Sequence, residues 1–447
     1  MGHLQALVAR TENRFPGSTL NLGEYAAGLK LPLTFASLKA IGSESPEHPL
    51  YLKVENALVP GSYFQGRCTV RDSVIIKSDV RGDELKRSAG LAETIRVRDS
   101  CLYKSLVHSN SHDPDSPNEF PINESVAMHY SNIHGSPLRG CLLKPFATVD
   151  LTSASQSSIG TYSYVQTGKL ADCTVEDGHI WIRGGDKFDF RYSFDKDALE
   201  TYVRFEPGAE PEGILIDLLI SMEKHFDRLF NECRLPPDVP QSSYMSPYAV
   251  VQGTSRIGEN AFIAQRAFLK NASIGDGSNA QENCCIIDSA LHGNNVSAHG
   301  SKMICATLQP NVFVGFNSFL RGTPHARLRV GTRCIVAPHT IIDLVEPLEI
   351  PSDHLVWGLI RSRSDLESHS ISLQELSQVK GELSQGLMFF RGRGKAFVDT
   401  FRHRIEHILE ANGAFCSGDD MRGHAQKCCG IRFKAIDPEL DCELEGI

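Results

Sequence analysis

Five short signatures recur down the second half of the chain, each an aliphatic residue followed by turn formers. Their leading residues, Ile257, Ile274, Leu291, Leu308 and Val330, are spaced 17, 17, 17 and 22 residues apart. A fixed period of this length describes a solenoid in which each repeat is one coil, because a single repeat cannot bury its own apolar face and must stack on the next. Within a coil a finer beat of about six is visible, as Ile257, Ile263 and Leu269 and then Ile274, Ala280 and Ile286. That beat predicts three short strands per coil, each sending one aliphatic side chain inward. Gly258, Asn260, Gly275, Gly277 and Asn294 fall between the strands and tolerate the tight backbone that such corners need. A sandwich of alternating strands would require frequent hairpin signals, and few are present.

These repeats resemble the hexapeptide-repeat superfamily of left-handed parallel β-helices, which implies a triangular prism. The expected fold is mainly β, with two left-handed parallel β-helix segments, an α/β insertion and C-terminal helices. Residues 1–57 read as an N-terminal cap and 58–170 as a first β-helix with looser spacing, where loops at 84–94 and 109–120 protrude. Residues 171–244 read as the α/β insertion and linker, with strands around Trp181 and Phe188 and an amphipathic helix over 214–230. A second β-helix is expected over 245–361. Helices near 373–387 and 396–410 follow in the last segment, 362–447, whose tail from Gly413 reads as poorly ordered.

Composition narrows the function. With 45 Lys and Arg against 54 Asp and Glu, the net charge is −9. This gives no basic footprint for nucleic acid or for an anionic membrane. No stretch is long and apolar enough to span a bilayer, and residues 1–18 lack the apolar region of a signal peptide, so a cytoplasmic protein is expected. The 13 cysteines have no regular spacing. Cys68, Cys141, Cys284 and Cys334 stand at inward strand positions, where free cysteine behaves as a small hydrophobe.

The chemistry-bearing residues concentrate in the first half. His108 ends Leu106-Val107-His108, and one coil later comes His129, with His134-Gly135 five residues on. Residues one coil apart stack on a β-helix, so the three imidazoles are expected to approach one another. Three neutral nitrogen donors and one open position suit a catalytic zinc, which lowers the pKa of its bound water to about 7.

Arg81-Gly82-Asp83, Leu106-Val107-His108 and His129-x-x-x-x-His134-Gly135, in this order, resemble the γ-class carbonic anhydrases. The resemblance implies a metal-dependent hydratase of CO2 or a related small electrophile, holding zinc, or alternatively iron or cobalt, on His108, His129 and His134. It implies a structural ion pair of Arg81 with Asp83, a catalytic role for Glu84 near the metal-bound water, and a homotrimer whose metal lies between subunits. The family's orienting Gln motif is missing before His108, where Leu102-Tyr103-Lys104 stands. Its counterpart, Asn279-Ala280-Gln281-Glu282, lies in the second half, making Gln281 a second catalytic candidate. Asp288, His299 and Cys305 form a weaker candidate metal set there.

Two other classes remain open. Most hexapeptide-repeat proteins are acyltransferases that use coenzyme A and one histidine as general base, a role that either His129 or His299 could fill. A non-catalytic scaffold subunit is the third. In the first two cases the partner is a small-molecule substrate.

Overall fold

The structure, a computed structural model, describes residues 2–16, 34–39, 52–65, 67–82, 93–109, 119–229, 239–246, 248–414, 431–437 and 442–445. The chain divides into two compact units. One comprises Met1–His179, Leu199–Gly213 and Lys427–Ile447, the other Ile180–Ala198 and Ile214–Gln426. Each is built on a left-handed parallel β-helix whose strands form three parallel sheets.

In the first unit the coils stack in register. Val80, Val107, Ile133, Val149 and Val165 pair in sequence along one sheet. Ile75, Leu102, Ala127, Leu143, Ile159 and Val175 do so along a second. All of these residues are buried. With the middle residue of each three-residue strand committed to the core, period-two alternation turns the residues on either side outward.

One corner of each coil carries a left-handed residue: Lys77, Lys104, Tyr130, Phe146 and Tyr162 have φ between 46° and 60°. For a residue with a Cβ this conformation costs on the order of 1–2 kcal/mol. Stacked serines offset part of that cost by satisfying corner amides: the Ser78 N–H donates to Ser62 Oγ at 3.2 Å and the Ser105 N–H to Ser78 Oγ at 3.0 Å.

Outside the prism, the helix Gly2–Arg14 lays Leu4, Leu7 and Val8 against Val74, Ile76, Cys101 and Val126. Reading 1–57 only as a cap missed this helix, although the 4-7-8 spacing is that of one apolar helical stripe. Strands Ile431–Asp437 and Cys442–Glu445 form an antiparallel hairpin, and the first pairs with Thr34–Lys39.

The second unit follows the seventeen-residue beat directly. Ile257, Ile274, Leu291, Leu308, Val330 and Ile350 are consecutive partners in one sheet. The left-handed corner falls on Asn260, Gly277, Asn294, Asn311, Arg333 and Asp353, which explains the Asn and Gly that mark the repeat. The step of 22 accommodates a small turn closed between Thr323 and Ala326. The helix Ile214–Leu229 lies on an outer face of this prism through Met222, which packs with Val250, Phe268 and Cys285.

The helix expected over 373–387 is shorter. Leu373–Gln378 is helical and closed at its start by a Ser372–Glu375 capping box. The chain then forms an antiparallel hairpin of Lys380–Gln385 with Met388–Arg393. Gly381 and Gly386, at φ 117° and 56°, supply the left-handed backbone that a continuing helix cannot hold. The final helix, Gly394–Ala411, sets Phe397 against Phe188 and Phe190.

Candidate functional site

Buried histidines stand out in each unit. In the first unit, strands Leu106–His108, Asn132–His134 and Thr148–Asp150 are successive rungs, and His108, His134 and Asp150 are register partners. Because Val107, Ile133 and Val149 enter the core, these three side chains project from the same outer face. The two imidazole centroids are 5.1 Å apart with planes inclined at 53°.

His134 Nδ1 lies 2.7 Å from Asp150 Oδ1, and the Tyr164 hydroxyl donates to Asp150 Oδ2. Asp150 is fully buried, so its charge is held by these donors and not by water. With Nδ1 donating to Asp150, Nε2 of His134 keeps its lone pair. His108 and His134 each offer a ring nitrogen, within 4.8 Å of one another. Two nitrogens at this spacing can each contribute a ligand to a metal ion, and a carboxylate on the far nitrogen is the usual support of a metal-ligating histidine.

The other sequence candidates lie elsewhere. His129 is not grouped with His108 and His134 at metal-ligand spacing. It precedes the corner at Tyr130, so the chain turns between it and His134, and its ring packs edge-on against Tyr103 at 4.6 Å. Within one chain, His129 therefore does not meet the other two imidazoles. Arg81 is buried one rung before His108. Its expected partner Asp83, and the candidate Glu84, lie outside the described residues.

In the second unit Asp288 and Cys305 sit at successive left-handed corners, with φ 46° and 51°. His299 leaves from a different corner, immediately before Gly300. Asp288, His299 and Cys305 make no metal-spaced group among the described residues. Gln281 is buried beside Glu282.

His299 has another partner. Glu282, His299 and Phe316 are successive rungs of one ladder, fixed by backbone bonds from the Gly300 N–H to the Glu282 carbonyl and from the Asn317 N–H to the His299 carbonyl. His299 Nδ1 lies 2.7 Å from Glu282 Oε2, a close ion-pair contact that is off the line a hydrogen bond prefers. Both side chains are almost fully removed from water. The ring packs 5.2 Å from Phe316, over which the Arg404 guanidinium lies at 5.7 Å. Sequence reasoning missed both carboxylate partners. The coil period was the available signal, since Asp150 follows His134 by 16 residues and Glu282 precedes His299 by 17.

A buried cation completes this unit's unusual polar groups. Lys302 is the register partner of Cys285 and is 1 % exposed. Loss of water pushes its ammonium down to about 8. Burial likewise pushes the Cys285 thiol up to about 12, so it stays protonated and inert at neutral pH.

The stacked coils and their outward ladders define a hexapeptide-repeat protein, and the family profile described as "Hexapeptide repeat including loop" matches residues 88–207. Over its full length the chain is 42% identical to the putative acetyltransferase from Desulfovibrio desulfuricans G20, covering 100% of this chain and 98% of that one at a TM-score of 0.87. It belongs to the family of that protein. A hexapeptide transferase family protein from Anaplasma phagocytophilum is 17% identical over 40% of this chain and 91% of that one, with a TM-score of 0.28, too low to carry an argument. No curated protein sequence matches the chain.

The full-length relationship overturns the resemblance to γ-class carbonic anhydrases. With it fall the readings as a lyase and as a zinc hydratase of CO2. The three-histidine motif misled because it lies on a scaffold common to many chemistries, and function resides in the site and not in the prism.

Proposed function

We propose that this chain is an acyltransferase that moves an acyl group from a coenzyme A thioester to a hydroxyl or amine of a small molecule, with His299 as general base. The observation that carries the assignment is the buried His299–Glu282 contact at 2.7 Å. The full-length relationship to a putative acetyltransferase supports the reaction class.

The Glu282 carboxylate beside Nδ1 electrostatically favours the tautomer with its N–H on that side, leaving Nε2 to accept a proton. Nε2 takes that proton from the acceptor as its oxygen or nitrogen attacks the thioester carbonyl. The carbon–sulfur bond then breaks, and the proton passes from Nε2 to the departing thiolate. Glu282 also stabilises the imidazolium formed between these steps, and Phe316 limits rotation of the ring. General-base catalysis of this kind contributes roughly 10²–10⁴-fold.

The test is acceptor-dependent release of coenzyme A thiol from acetyl-CoA, with a panel of amino and hydroxy compounds. His299→Ala is expected to lower kcat by about 10²-fold or more. Undiminished turnover in that variant would refute the assignment. No described helix is long and apolar enough to cross a membrane. The proposal includes a cytoplasmic homotrimer, checked by light scattering and by cell fractionation.

A second reading concerns the first unit. His108 and His134, with Asp150 and Tyr164 behind His134, suit zinc, with iron or cobalt as alternatives. A bound divalent ion would supply Lewis acidity toward an oxygen ligand. The chain's own part is to present two nitrogens and fix the His134 ring through Asp150. Elemental analysis of wild type beside His108→Ala and His134→Ala tests this. Loss of metal in both variants is expected, and equal occupancy in all three proteins would exclude it.

A further inference from the structure

We propose that a groove on the first unit, whose lining includes none of these histidines, binds a linear aliphatic carboxylate. The groove lies at the C-terminal end of the helix Gly2–Arg14. It is lined by the partly buried Phe15 and Phe205, the buried Met128 and Leu142, and the partly exposed Arg14 and Lys144. Its volume is about 290 Å³. That is at the small end of the roughly 300–1,000 Å³ range of small-molecule pockets.

The chemistry of the lining selects this ligand. Phe15 and Phe205 pack on the apolar cluster beneath the helix yet remain only partly buried, so a hydrocarbon chain laid between them removes apolar surface from water at roughly 25 cal/mol per Å². The rim is cationic in a specific way. Arg14 contacts Glu124 Oε2 at 3.2 Å and Lys144 contacts Asp177 Oδ1 at 3.1 Å. The two cations line the groove and their carboxylate partners do not. Each cation is thus held in place from behind by an acid, with its own side chain bordering the cavity. Their side chains are 26% and 30% exposed, in reach of an incoming anion.

Arg14 is also positioned by the backbone. Its Nη1 donates to the Glu124 carbonyl at 3.1 Å and lies 2.6 Å from where a Cβ at Gly140 would be. Gly140, at φ 64°, is the residue that leaves room for the guanidinium. A neutral apolar ligand would leave this pair of cations unused, and an amine would be repelled by them.

The test is isothermal titration of the full chain with sodium octanoate, with octylamine, octan-1-ol and acetate as probes of head and tail, and with octanoyl-CoA as a tail lacking a free carboxylate. Saturable binding of octanoate is expected, at least tenfold tighter than octylamine or acetate. Thr174, exposed on the groove's wall, allows Thr174→Trp to fill the cavity without touching the core, and this variant is expected to lose octanoate binding while keeping its melting temperature. Lys144→Ala is expected to weaken octanoate about tenfold and leave octan-1-ol unchanged. The proposal is overturned if octanoate shows no saturable binding. It is equally overturned if octylamine binds as well, if octanoyl-CoA competes with equal strength, or if Thr174→Trp binds octanoate as wild type does. None of these readouts depends on transferase activity.

Discussion

Replacing Lys302 by methionine is expected to stabilise the protein by about 3 kcal/mol at pH 7. The side chain is 1 % exposed and pairs in register with Cys285 and Phe319. Its ammonium falls from 10.5 to about 8 because burial removes its hydration. At about 1.36 kcal/mol per pH unit, that displacement corresponds to about 3 kcal/mol of destabilisation wherever both folded and unfolded chains carry the proton. Below pH 8 the penalty is present in full. Between about 8 and 10.5 the unfolded chain holds a proton that the folded chain has released, so stability rises with pH. Above 10.5 the penalty has gone.

Methionine keeps the length of the lysine stem and its apolar packing without the charge. Urea unfolding of wild type and Lys302→Met at pH 7, 8, 9 and 10 measures the difference while other titrating groups cancel. The advantage of the variant should shrink steadily across that range and nearly vanish by its upper end. A variant less stable than wild type at pH 7, or a difference that does not change with pH, would show that the buried ammonium carries no such penalty. The first result would mean that the hydrogen bond from Lys302 Nζ to the Gly300 carbonyl outweighs desolvation.

Two further outcomes follow from close contacts. A Cβ at Gly394 would lie 1.6 Å from the Leu376 carbonyl oxygen, so Gly394→Ala should displace the start of the final helix and cost about 3 kcal/mol, read as a lower melting temperature. Asp150→Asn keeps the shape behind His134 but removes the charge that sets its tautomer. It should weaken zinc affinity about 10–100-fold, measured by competition with a chromogenic chelator.

The prism was legible from sequence because its cause is local and repeated. Each coil must place an aliphatic residue inward at Ile257, Ile274, Leu291 and their successors, and a left-handed residue at corners such as Asn260 and Asn294. The same logic failed at 373–387, where apolar spacing suggested one helix and two glycines imposed a hairpin. At the site, period alone could stack His108 on His134. It could not show that Tyr130 turns the chain between His134 and His129, because that corner is held by a tyrosine in a conformation usually given to glycine or asparagine. Nor did motif matching reveal Asp150 and Glu282, whose importance comes from lying one rung away from a histidine. Reading every polar residue against its neighbour one coil on would have found both.

In the proposed reaction His299, beside Glu282, removes the proton from the acceptor in acyl transfer. The most direct measurement is the pH dependence of kcat for acetyl transfer in wild type, Glu282→Gln and His299→Ala. An ascending limb is expected in wild type, a lower plateau with that limb displaced in Glu282→Gln, and no such limb in His299→Ala. An identical profile in all three proteins would contradict it.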